Sequence, residues 1–194
     1  MPAKAKVSRD MIEEAAFRLV RAEGHEALSA RRLAARLNCS TQPLLYHFSG
    51  IEAIRRAAYE RADAFHTAYI TDVAGSDQDP MLEIGLRYVR FAAEEGPLFR
   101  FLFQSGQFAG RSLEELIASP EAEPLRRAAA EATGLPEDEA RSVFGVLFVC
   151  VHGWASLLAN NAMRYNPAAL EASLVALYEG MMEKYRGESH EDDE

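Results

Sequence analysis

Side chains able to do covalent chemistry are present in this chain, but they stand apart from one another. His152 lies beside Gly153 and Trp154 in an apolar stretch, a setting where a histidine is more often a hydrogen-bonded core residue than a base or a ligand. Cys39 and Cys150 are distant, with no Cys-x-x-Cys or His-rich spacing around either, which argues against a zinc site and against a disulfide framework. No carboxylate pair has a histidine nearby, no Gly-rich loop is shaped for a phosphate, and no nucleophile has an assignable base. The expectation is a protein that is not an enzyme and holds no cofactor and no metal. A different chemistry is suggested by Thr41, Gln42, Tyr46 and His47, hydrogen-bonding side chains whose spacing leaves them outward on one short helix.

The elements that position them follow from caps and periodicity. Ser8 opens a first helix whose Met11, Ile12, Ala15, Ala16, Leu19 and Val20 share a face, and Gly24 ends it. Ser29 caps a second helix with Leu33, Ala34 and Leu37 inward, and Asn38 is a left-handed stop. Ser40 is expected to cap a third, with Pro43 in its first turn and Leu44, Leu45 and Phe48 facing the first helix. Two short helices joined by a tight turn and packed on a longer one make a helix-turn-helix unit.

Composition agrees with an all-α chain. The protein has 194 residues, 48% of them hydrophobic, with few Gly and Pro and abundant Ala, Leu, Arg and Glu. The longest apolar stretch, from Val143 to Ala159, contains Gly145, His152, Gly153 and Ser156, and neither a signal peptide nor a spanning helix is expected. A cytoplasmic protein without a membrane partner is the reading. The net charge of −9 speaks against DNA until its distribution is examined: residues 1 to 56 carry ten bases and six acids, a net of +4, and the rest carries −13. A basic head on an acidic body gives one surface that attracts a duplex and another that is repelled by it.

The stretch from Leu28 to Ser40 and on through Phe48 to Ile54 resembles the TetR family of bacterial transcriptional regulators. Where that family usually has Gly, a small residue, Leu, Tyr, any residue, His and Phe, this chain has Gln42, Pro43, Leu44, Leu45, Tyr46, His47 and Phe48. Ile51 stands where a phosphate-binding lysine is frequent. The resemblance implies that the third helix enters the major groove, where Gln42 suits adenine N6 and N7 and Thr41 a thymine methyl or a phosphate. Tyr46 and His47 are candidates for phosphate or for plain solvated surface. Ser29, Arg31 and Arg32 at the start of the second helix, with Ser40 and Pro43, complete the candidate DNA-binding set. Lys4 and Lys6 form an arm that follows DNA or merely keeps the terminus soluble.

The body is read as a linking helix from Glu52 to Ile70, an amphipathic helix from Met81 to Glu95, a short aromatic one from Leu98 to Phe103, and two long apolar helices opened by Pro136 and Pro167. Phe91, Phe99, Phe101, Phe103 and Phe108 crowd this region as core or as a ligand pocket. The pocket candidates are Tyr88, Phe91, Phe103, Phe144, Phe148 and Trp154. The segments Tyr88 to Ala92, Leu98 to Arg100 and Val151 to Trp154 are similar to one group of TetR C-terminal domains. In that family the last two helices form a four-helix dimer interface. The expected organisation is therefore a helix-turn-helix domain over 1–54, a helical ligand-binding and dimerisation domain over 55–187, and a disordered acidic tail over 188–194. The function implied is a repressor binding a palindromic double-stranded DNA operator as a homodimer and released by a small-molecule effector. The alternatives are a constitutive DNA-binding or protein-binding adaptor, and a helical-bundle enzyme with a vestigial head.

Overall fold

The computed structural model describes residues 7–75, 79–106, 110–161 and 163–191, without the side chains of 121 and 186–191. Lys4, Lys6 and Phe108 lie outside the described residues. Those described form ten α-helices and two short 3-10 turns, with no strand among them. The all-α expectation is met.

The chain divides into two compact units, the first comprising 1–68 and 95–107 and the second 69–94 and 108–194. The first is built on α1 (Arg9–Glu23), capped by Ser8, whose hydroxyl accepts from the Met11 amide. Gly24 ends α1 at φ 86°, a conformation side chains resist. α2 (Ala30–Arg36) starts at Ser29, and Asn38 turns the chain at φ 49° into α3 (Gln42–His47). The cap of α3 falls on Thr41 rather than on Ser40, and it makes no side-chain capping bond. α4 (Ile51–Thr71) follows, belonging to this unit as far as Ala68.

α6 (Gly96–Phe103) also belongs to this unit. Its Leu98, Phe99, Phe101 and Leu102 are buried, each contributing about 1.5 to 3 kcal/mol of apolar stabilisation. Arg21 on α1 forms a two-bonded ion pair with Glu95 and lies over the Phe65 ring. Phe101 stacks on His25 at 5.8 Å and meets Tyr59 edge-on. Phe103 meets His66 edge-on at 5.1 Å.

The second unit packs α5 (Pro80–Glu94) against α9 (Glu137–Asn161) and α10 (Pro167–Glu191), with α7 (Leu113–Ile117) and α8 (Glu123–Thr133) also on α9. The sequence pattern does not anticipate α7 and α8. α7 carries a capping box between Ser112 and Glu115, and Gly134 closes α8 in the left-handed region. α9 runs unbroken through Gly145, Gly153 and Ser156, as one long helix after Pro136 requires. Gly145 lets α7 approach closely: a Cβ on it would lie 2.8 Å from Ile117 Cδ1, and the tip of that side chain would have to shift. An 18-residue stretch of this helix reaches a mean hydropathy of 1.9 and is by length and composition able to cross a membrane, though 33% of the stretch is buried inside the protein. α10 continues to Glu191, into the segment read as a tail.

Candidate nucleic-acid interface

Short helices are held by whatever their inner face touches, and α3 has six residues. Leu44 is fully buried and Phe48, four residues on, nearly so. Successive residues turn by about 100° around a helix, so this pair fixes the opposite face outward. That face carries Gln42, Leu45 and Tyr46, with exposed Thr41 at its start. Leu45 is 62% exposed and Tyr46 79%. The expectation that Leu45 packs on α1 is thus overturned. The phase set by Leu44 and Phe48 puts Leu45 on the solvent side, because three apolar neighbours in so short a helix cannot all point one way.

Two contacts lock α3 to the start of α1. The His47 ring, half-buried, donates through Nε2 to the Val7 carbonyl at 3.0 Å, and the Arg9 guanidinium sits 4.6 Å from the centre of the Phe48 ring. His47 therefore spends one ring nitrogen within the protein. Pro43 is half-buried in the first turn.

Around α2 the candidates are used unequally. The Ser29 hydroxyl accepts from the Arg32 amide at 3.4 Å, leaving its own O–H to donate. Arg32 and Arg36 both pair with Glu23. Arg31 is exposed and makes no ion pair among the described residues. On α4, Arg61 bridges Asp10 and Glu14 of α1, tying the linking helix to the head.

In the second unit, Tyr88, Phe144 and Phe148 come together. The Tyr88 hydroxyl and His152 Nδ1 are 2.9 Å apart, and Phe148 stacks on His152 at 5.7 Å and approaches Phe144 at 6.2 Å. Phe144, Phe148 and His152 are four residues apart and so line one face of α9. Burial lowers the pKa of His152 and raises that of Tyr88. Both are thereby held neutral near neutral pH. Trp154 is half-buried and lies about 200° around α9 from His152. Phe91 is fully buried against Tyr69, and Phe103 belongs to the first unit. Glu94 accepts from Tyr69, and Glu95 pairs with Arg21.

No protein-family model matches the sequence, and no curated protein sequence matches it. In three dimensions the chain is similar to the structure of the transcriptional regulator SCO7222, a TetR from Streptomyces coelicolor. The match has a TM-score of 0.65 and 21% identity, and covers 91% of this chain and 98% of that one. It is also similar to the multidrug binding protein EbrR complexed with imidazole, with a TM-score of 0.51, 20% identity, and 87% and 93% of the two chains covered. The EbrR complex with ethidium gives 0.50, 18%, 91% and 98%. The fold is TetR-like: an N-terminal helix-turn-helix followed by a helical C-terminal region.

Proposed function

We propose that the protein is a cytoplasmic TetR-type transcriptional repressor that binds a palindromic operator as a homodimer and is released by a small-molecule effector. The observation that carries this reading is the outward face of α3, where Thr41, Gln42 and Tyr46 are exposed on a helix held from behind by Leu44 and Phe48. Gln42 takes the base-reading role and Thr41, Ser40 and Tyr46 contact the backbone or neighbouring bases. Ser29 and Arg31 hold phosphate across the groove, with Arg32 joining when it exchanges Glu23 for DNA. Pro43 sets the entry of the helix and His47 its seat.

Dimerisation uses the face of α9 that its own subunit leaves bare. Val146, Val149 and Leu157 are exposed there, and α10 offers the exposed small residues Ala172, Ala176 and Gly180 at four-residue intervals. Small and aliphatic faces of this kind pair closely. Two-fold symmetry then spaces the reading helices about 34 to 36 Å apart, one turn of DNA.

The effector site is the Tyr88 and His152 pair with the Phe144 and Phe148 rings, an apolar surface carrying one polar couple. The EbrR complexes with ethidium and imidazole favour an aromatic ligand. The test is a gel shift on the protein's own upstream region, titrated with salt. Specific retention that falls steeply with salt is expected, whereas equal affinity for upstream and random duplex would overturn the reading.

A further inference from the structure

Leu45 is left without a role by the reading of Gln42 as the base reader. Isolated exposed leucines are ordinary, so position is what gives this one meaning. Around α3, Gln42 stands between Leu45, about 60° to one side, and Tyr46, about 40° to the other. An apolar, an amide and an aromatic side chain therefore form one stripe on the face directed away from α1. Among the described large apolar side chains only Tyr46 is more exposed than Leu45.

The charge around this stripe selects the occupant. Residues 1 to 56 carry +4 in a chain of net −9, and Arg31 is exposed and uncompensated. A polyanion suits that surface better than a second copy of an acidic chain. Within a major groove an isobutyl group has one favourable counterpart, the C5-methyl of thymine, which no other base presents there. Cytosine would point an amino donor at an alkyl group that cannot accept, leaving it unpaired.

The geometry points to Leu45 as a thymine-selecting residue, its methyl groups packing on a thymine C5-methyl one or two base steps from the adenine taken by Gln42. The three-residue offset is a rise of about 4.5 Å along the helix, between one and two base steps of about 3.4 Å. This inference rests on the DNA-binding reading and adds to it a base that the half-site must contain.

The test begins with duplexes selected from a random pool by the full-length protein. Each thymine of the recovered half-site is then replaced singly by deoxyuridine, which removes only the methyl group. Affinity is measured for the unaltered protein and for Leu45→Ala, whose folding is checked by thermal melt. At one thymine per half-site the unaltered protein should lose affinity about fourfold, the worth of one buried methyl. Leu45→Ala should bind the thymine duplex more weakly by a similar factor and be indifferent to the replacement. Insensitivity of every thymine overturns the proposal. So does a sensitivity that persists in Leu45→Ala, or a change of sedimentation in place of a change of base preference. Failure to enrich any duplex removes the DNA-binding reading itself, an outcome distinct from the others.

Discussion

His47 on α3 donates its Nε2 proton to the carbonyl oxygen of Val7, at 3.0 Å and across forty residues of sequence. The bond ties the entry of α1 to the end of the helix proposed to read DNA. His47→Ala is expected to destabilise the fold by about 1 kcal/mol, the usual net worth of such a bond, measured by urea unfolding. Affinity should fall while the slope of log affinity against log salt is unchanged. A shallower slope would instead assign His47 to a phosphate.

Gln42 and Arg31 should separate in their effects. Gln42→Ala is expected to weaken operator binding by about 1 to 3 kcal/mol and to relax base choice at one position. Arg31→Ala should weaken operator and random duplex alike and reduce the salt slope by about one. Equal losses on both duplexes for Gln42→Ala would remove it from base reading.

For the dimer, Val149 and Leu174 make a discriminating pair. Val149 is 51% exposed, whereas Leu174 is 3% exposed, its Cδ1 lying 3.4 Å from where a Cβ on Gly85 would stand. Val149→Glu is expected to give a folded monomer by sedimentation. Leu174→Ala should leave association alone and cost about 2 to 5 kcal/mol of stability by opening a cavity. A Val149→Glu dimer would move the interface off this face.

His66, buried beside Phe103, has its pKa lowered by burial to about 4. Its pKa on unfolding returns to about 6.5. Below that value the unfolded chain takes up the proton first, so stability falls as pH drops from about 6.5 and the loss levels off near 4. The full difference is on the order of 3 kcal/mol. His66→Phe should flatten stability against pH in this window, and an unchanged slope would show that other groups govern it.

Much of the helix-turn-helix is legible from sequence because its signals are local. Ser8, Ser29, Gly24, Asn38 and Pro43 act within one turn of where they stand, and each occupies the position its chemistry suggests. Leu45 was misread because six residues hold too few turns to fix a phase, and only the burial of Leu44 and Phe48 does so. In α10, Leu174 resembles any other apolar residue of a two-faced helix; only its burial beside Gly85 of α5 shows which face meets its own subunit. Three of the pocket candidates likewise depend on a partner that periodicity does not single out. Tyr88, Phe144 and Phe148 gather through His152, a residue that sequence alone leaves between core and pocket, while Trp154 turns to another side of α9.

The place of α6 has a practical consequence for engineering. The segment from Glu95 to Phe103 returns to the first unit after an excursion of 26 residues, from Tyr69 to Glu94. A cut after Ala68, where the first stretch of this unit ends, would strip His25, Tyr59 and His66 of Phe101 and Phe103, and Arg21 of Glu95. Swapping operator specificity between proteins of this fold by exchanging N-terminal cassettes would therefore leave a mismatched seam. A transplant has to carry α6 with it, or graft the outward residues of α3 alone.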